Sequence, residues 1–461
     1  MTSSNVLPYN REEKNMKKYI NIFLLAVVAI SALSLSSCKN EIDEIFDEDA
    51  VARLDAAKSK YAEILTDKGG KWQLEYFSNT NEPGYIYLMT FKENGSVTIS
   101  GMNKWISYVN GSSTTGTVAY GSETSLWEII ADNGPVLSFN SFNKYFHLFA
   151  DPEDIPSSSD EDDDETGRGH EGDYEFNIMD YSNDTLYISG KKHGIDMIMT
   201  RVDAGYDDEV YMNEVVAMAD SFFNAKVPVV YINLPNDVRY IVKNGASSIL
   251  SMYKEGEDEI STSETYNIII THDGLSFMTP ISLDGYVIQN FTRQPDGSLL
   301  CRDDQQTTMT ADPLSTIFSN QTLIWRMDVN KAGGVFADLI AGLGQELKDY
   351  NKSSLVYVQL SYDRSLESYT CMFFVKKGSS TFKPTFYLTM DQPGETQIKM
   401  NFAAEGDKAA QTYSERCPSM KAIVDELGSH TYNMSANSLL APVNMTLTQS
   451  DNPANYTVWN L

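Results

Sequence analysis

The chain has 461 residues, 42% of them hydrophobic, and its 35 basic against 64 acidic side chains give a formal charge of −29. That apolar share supports folded cores and argues against general disorder, and the length suits two or three domains. The acidity repels phosphates, which excludes nucleic acid as a partner and leaves cationic ligands, divalent ions and neutral glycans.

The first element is an export signal. Met16-Lys17-Lys18 opens it, an apolar segment follows from Tyr19 to Leu35, and Leu35-Ser36-Ser37-Cys38 closes it. A short cationic start, an apolar core and small residues before a cysteine are the parts of a lipoprotein signal, with the Cys38 thiol as the acceptor of the lipid. The apolar segment is shorter than the ~20 residues that cross a bilayer as a helix. Residues 1–37 are therefore expected to be removed. Met16 is an alternative start, because Arg11-Glu12-Glu13-Lys14 is unlike a signal. Cleavage removes four basic and two acidic residues, which takes the net charge from −29 to −31. Residues 38–50 form an acidic tether whose charge resists docking on the anionic membrane beside it. The signal predicts a protein anchored to a membrane by lipid on Cys38.

Residues 51–205 read as an N-terminal helix followed by a β domain. The helix, Glu48 to Leu65, carries Val51, Leu54, Ala57, Tyr61 and Leu65 at helical spacing and stops at Gly69-Gly70. From Lys71 the period changes to two, with strands predicted at 72–77, 85–91, 96–100, 126–130, 136–140, 174–179, 186–189 and 195–201. Asn94-Gly95, Asn110-Gly111 and Asn133-Gly134 are expected at hairpin turns, where positive φ is needed. Residues 151–173 form an acidic surface loop with the block Asp160–Glu165. Residues 206–330 begin with a helix over 206–226, whose stripe is Val210, Val215, Met218, Phe222 and Phe223, and continue as strands. Residues 331–461 form a C-terminal α+β module with helices over 335–350 and 409–427. The predicted fold class is mainly β with a few helices (α+β), as tandem antiparallel β-barrel or sandwich modules.

Few local motifs carry chemistry. Gly167-Arg168-Gly169-His170-Glu171-Gly172 fits a dinucleotide-binding string, but it follows six consecutive acidic residues in a loop that would repel phosphates. The same loop is a weak calcium candidate. Asp162, Asp164, Thr166, Gly167 and Asp173 fall on positions 1, 3, 5, 6 and 12 of an EF-hand-like loop, and a shifted register uses Asp160, Asp162, Asp164 and Glu171. No catalytic residue and no other cofactor is assigned. His147, His170, His193, His272 and His430 are scattered without metal spacing, and no nucleophile elbow occurs. Cys301, Cys371 and Cys417 are too far apart for a zinc motif; buried thiols are the simpler reading, one bridge with a spare thiol the other. Trp72, Trp127 and Trp325 sit in apolar strand contexts, whereas Trp105, after a turn, is the expected exposed ligand contact.

Lys71-Trp72-Gln73-Leu74-Glu75-Tyr76-Phe77, Val136-Leu137-Ser138-Phe139-Asn140 before His147, Gly172-Asp173-Tyr174-Glu175-Phe176 and Gly190-Lys191-Lys192 resemble the landmarks of a Bacteroidetes surface lipoprotein family, defined as a domain of unknown function. The resemblance runs from about residue 50 to the C-terminus and is strongest before 205. The tether after Cys38 is also similar to those that send Bacteroidetes lipoproteins to the outer face of the outer membrane, which implies a location in the outer membrane, lipid-anchored and exposed at the cell surface. Trp72 and the hairpin after it are similar, more loosely, to the opening of lipocalin-like barrels. The resemblance implies gene clusters with TonB-dependent receptors, starch-utilisation-D-like binding lipoproteins and other surface lipoproteins; it supplies no catalytic residues. The expected function is a non-enzymatic binding or accessory component of a TonB-dependent nutrient uptake system, with a glycan, haem or protein ligand. The alternatives are a surface hydrolase with a dispersed carboxylate site and a structural or adhesive surface protein.

Overall fold

Period-two alternation from Lys71 onward resolves into three antiparallel sheets in the computed structural model, which describes residues 50–112, 117–151, 155, 170–223, 226, 229–244 and 249–461. The chain divides into two units, Met1–Ser59 and Lys60–Leu461. Of the first, residues 50–59 begin helix α1 (Ala50–Thr66), and everything described below lies in the second.

The first sheet contains β1 (Lys71–Tyr76), β2 (Tyr85–Phe91), β3 (Ser96–Asn103), β4 (Ala119–Leu126), β5 (Glu128–Ala131), β6 (Pro135–Ser138), β7 (Glu175–Ser182), β8 (Thr185–Gly190) and β9 (Asp196–Arg201). Their order is β4-β3-β2-β1-β9-β8-β7-β6-β5. The two edge strands, β4 and β5, are separated only by Trp127, so the sheet turns back on itself at that corner without laddering shut. A strand predicted over 126–130 is thus broken at Trp127. Its backbone N–H donates to Gly95 O at 2.9 Å, and its indole packs edge-on against Phe91 at 5.0 Å. Trp72, Leu74, Tyr76, Tyr87, Phe139, Phe146 and Phe176 fill the interior.

The single 3-10 turn after α1, Asp67–Gly69, ends on a left-handed Gly70 (φ 66°), where a Cβ would lie 2.2 Å from Phe91 O, so glycine is required there. Asn94-Gly95 forms its turn, with Gly95 at φ 79°. Asn110-Gly111 does not make a hairpin: it closes a short helix, α2 (Lys104–Val109), whose N-cap Asn103 accepts from the N–H groups of Trp105 and Ile106.

Helix α3 (Asp208–Phe223) bridges the first sheet and the second. The predicted single stripe is split between two cores. Tyr211 and Met212 belong to the core of the first sheet, Met218 and Phe222 to that of the second, and Val210 is left 51% exposed.

The second sheet is a closed barrel of β10 (Val230–Asn233), β11 (Arg239–Asn244), β12 (Ile249–Lys254), β13 (Glu264–Ile270), β14 (Gly274–Leu283), β15 (Tyr286–Arg293), β16 (Leu299–Cys301) and β17 (Thr308–Ala311), with the short helix α4 (Glu259–Thr262) in one connection. Closure pairs β17 with β10, which leaves no ladder edge between first and last strand. Asp284-Gly285 turns with φ 46° and 88°, the geometry a two-residue hairpin needs.

After α5 (Leu314–Phe318) the third sheet holds β18 (Trp325–Gly333), β19 (Ser354–Asp363), β20 (Ser368–Lys377), β21 (Ser380–Phe382), β22 (Thr385–Gly394), β23 (Gln397–Phe402), β24 (Thr431–Ala436), β25 (Asn444–Gln449) and β26 (Tyr456–Asn460). A β19–β20 pairing closes eight of these strands into another barrel, with β21 appended. Strand β18 runs through residue 330, and no ladder joins this sheet to the barrel before it. Helix α6 (Val335–Asn351) packs Phe336, Leu343 and Leu347 into its core. The helix predicted over 409–427 is two helices, α7 (Lys408–Arg416) and α8 (Pro418–Ser429). Pro418 has no N–H to continue α7 and is suited to the first turn of a new helix, so the chain breaks at Cys417.

Strands make up 44% and helices 24%, so the fold is mainly β, as expected, with barrels as its principal modules. Cys301, Cys371 and Cys417 are buried free thiols. No helix among the described residues is long and apolar enough to cross a membrane.

Candidate functional site

Alternation in Lys71-Trp72-Gln73-Leu74-Glu75-Tyr76 sends Trp72, Leu74 and Tyr76 into the first sheet's core. The other phase, Lys71, Gln73 and Glu75, would face water in a sheet with one free face. Here α3 and the barrel cover it, and all six residues are buried. The polar phase becomes a seam. Lys71 Nζ meets Asp208 Oδ1 at 2.8 Å, and Ser100 Oγ donates to Asp208 Oδ2 at 2.7 Å. Tyr211 OH donates to Gln73 Oε1 at 2.6 Å, and the His272 ring lies 4.4 Å from the Tyr211 ring.

Glu75 is the carboxylate of the seam that burial perturbs most. It is 4% exposed, and the Gln73 amide reaches it only at 3.4 Å. Burial pushes its carboxyl up to about 7; Arg302 and a Ser276 hydrogen bond oppose the rise, and the Asp273 charge adds to it. Glu75 lies against a cleft of about 350 Å³ between β1, β7, β8 and β9 of the first sheet and β14–β15 of the barrel. The walls are mainly apolar, with Phe77, Phe277 and three methionines, Met179, Met197 and Met278. An apolar cleft with one buried carboxyl of raised pKa has the composition of a small-ligand site. Methionine side chains adapt to ligands of differing shape. Sequence spacing could not find this site, because its walls come from three separate stretches of the chain, 75–77, 179–198 and 277–289. The one available signal was an acidic residue inside an otherwise core-forming strand.

The structure moves Trp105 from the surface to the interior. It is 8% exposed, on the first turn of α2, and its indole N–H donates to Tyr85 OH at 2.9 Å. Its ring meets His170 edge-on at 5.0 Å, and His170 Nδ1 lies 2.5 Å from Glu82 Oε2 in a pair that is almost wholly buried. The capping Asn103 turns the chain inward just where a polar Met-Asn-Lys run suggested exposure. Trp105 therefore seals the end of the first sheet and is not an exposed ligand contact.

Of the calcium candidates, Asp160, Asp162 and Asp164 lie outside the described residues. Glu171 is exposed at φ 55°. Asp173 is buried, and its two oxygens accept the backbone N–H groups of Lys192 and His193 at 3.0 Å each. It anchors the turn between β8 and β9, so it is not an open cation ligand. Among the described residues no three His, Cys, Asp or Glu side chains converge as a metal site. The thiols are poor nucleophiles, since burial pushes Cys301 and Cys417 up to about 11 and Cys371 higher still. Cys38 precedes the described residues.

Fifteen chains among solved structures match this one. One similar structure is the crystal structure of the beta subunit from DNA polymerase of Streptococcus pyogenes, at 10% identity, over 88% of this chain and 97% of that one, with a TM-score of 0.12. A score that low carries no argument about fold or activity. No curated protein matches. A family described as a domain of unknown function, DUF4302, matches residues 42–295, more than half of the chain, and the match ends there rather than at the C-terminus. It takes in the whole first sheet, α3 and barrel strands β10–β15, and with them every residue of the Glu75 cleft. The chain therefore belongs to the DUF4302 family.

Proposed function

We propose that this protein is a lipid-anchored, non-enzymatic binding or accessory component of a TonB-dependent nutrient uptake system, exposed on the outer membrane of a Bacteroidetes cell. The observation that carries the reading is the passage from Met16-Lys17-Lys18 through an apolar core to Leu35-Ser36-Ser37-Cys38, followed by an acidic tether. The cleft floored by Glu75 supports binding. Its walls would hold an apolar ligand, and the carboxyl would take one amine or hydroxyl from it. The test is surface biotinylation of intact cells followed by co-purification. Labelling together with recovery of a TonB-dependent receptor supports the reading, and the absence of both defeats it.

One observation favours the second reading, a surface hydrolase. Burial raises the Glu75 carboxyl to about 7, the range of a general acid, and Glu75 lies against the cleft. Hydrolysis of a surface polysaccharide that is abolished by Glu75→Gln would favour this reading over binding alone.

A further inference from the structure

The first sheet carries, away from the Glu75 cleft, a row of three rings at its surface. Phe142 is 65% exposed and Tyr174 43% exposed, although both are large apolar side chains. His147 lies between them. Its ring centroid is 5.6 Å from Phe142 at 33° between planes, and 5.0 Å from Tyr174 at 37°. The imidazole is held by backbone on both nitrogens: Asn143 N–H donates to Nδ1 at 3.1 Å, and Nε2 faces Phe139 O at 2.9 Å. Asn143 O also lies 3.3 Å from Nδ1, so backbone groups engage both nitrogens, and burial holds the pKa of the ring down. His147 is therefore a fixed, neutral plate in the middle of the row, with no nitrogen left over for proton transfer.

The rings border a cleft of about 380 Å³ whose remaining lining is Asn140, Ala150 and Asp151. Asn140 Nδ2 already donates to Glu128 Oε1, which leaves its amide oxygen as the acceptor; apolar ring faces beside such an acceptor match one ligand geometry well. A pyranose has C–H groups on its face that pack on aromatic rings, and hydroxyls at its edge that hydrogen-bond to amides and carboxylates. The formal charge of −29 selects against acidic sugars. We propose that Phe142, His147 and Tyr174 form a stacking platform for a neutral saccharide, with Asn140 and Asp151 at its rim. This inference rests on the reading of the protein as a binding component, and it places a saccharide on a surface other than the Glu75 cleft.

The test uses the full chain purified in detergent and titrated calorimetrically with maltohexaose, cellohexaose, xylohexaose and mannohexaose, with polygalacturonate as the charged comparison. At least one neutral hexasaccharide is expected to bind saturably, and polygalacturonate is not. Phe142→Ala and Tyr174→Ala should each weaken that binding about 3- to 10-fold, from the usual worth of one aromatic contact. Tyr174→Phe, which keeps the ring, should retain it. Both positions are on the surface, so the variants should unfold at the wild-type temperature. Saturable binding that the double alanine variant leaves unchanged would overturn the platform while sparing the binding reading. Failure of all four hexasaccharides to bind would overturn the saccharide assignment. Surface labelling and receptor recovery are read separately, so loss of the platform and loss of the proposed function are distinguishable.

Discussion

Replacing Glu75 with glutamine should change how the protein's stability depends on pH. The Glu75 carboxyl is raised from 4.5 to about 7 because ionising it in the seam means leaving a charge largely out of water. A group whose folded pKa is raised binds its proton more tightly when folded, so stability is highest where the carboxyl stays protonated. That contribution is fully present below about 4.5 and is lost as pH rises through about 7. Ionisation of Glu75 then costs the folded state about 3 kcal/mol at pH 8, at about 1.4 kcal/mol per pKa unit. Glutamine has the shape of the protonated acid and does not titrate. Urea unfolding of wild type and Glu75→Gln from pH 5 to pH 8 should therefore show a gap that widens by about 2 kcal/mol in the variant's favour. Every other carboxylate is common to both proteins, so the difference between the two profiles belongs to Glu75 and the groups facing it, namely Arg302, Asp273, Ser276 and Gln73. Parallel profiles would refute the reasoning.

Two further substitutions probe the first sheet, one in the seam and one at Trp105. Lys71→Met strands Asp208 beneath the barrel-facing seam and should cost about 3 kcal/mol in unfolding free energy, most of it recovered in Lys71→Met/Asp208→Leu; equal losses in both would contradict a paired charge. Trp105→Ala should cost about 3–5 kcal/mol, read as a lowered melting temperature, because it opens a cavity against His170 and Tyr85. A variant as stable as wild type would return Trp105 to the surface.

Strands were legible wherever one face is apolar and the other polar, as in β1, β2 and β7. Strand β4 was not foreseen, because Ala119-Tyr120-Gly121-Ser122-Glu123-Thr124-Ser125-Leu126 offers almost no apolar phase; it is held by β3 on one side, including the Thr98–Thr124 and Ser100–Ser122 hydroxyl pairs. The Asn183-Asp184 turn was also missed. Both residues sit at positive φ without a glycine, and Asp184 is held there by Lys68, Tyr181 and Arg201. Site residues were harder to read than strands. Lys71, Gln73 and Glu75 look like the wet side of a strand until a helix and a barrel from later sequence close over them. Phe142 and Tyr174 each stand alone among polar neighbours, in Asn140-Ser141-Phe142-Asn143-Lys144 and Asp173-Tyr174-Glu175, and only folding brings both beside His147. Trp105 failed for the reverse reason, since a polar local sequence says nothing about the cap that turns its side chain inward.

The account stands or falls on the chemistry at one thiol. Intact and peptide mass spectrometry of the protein extracted from the outer membrane should find a chain that begins at Cys38 and carries acyl chains on it. A chain that still begins at Met1 or Met16, with an unmodified Cys38, would contradict it.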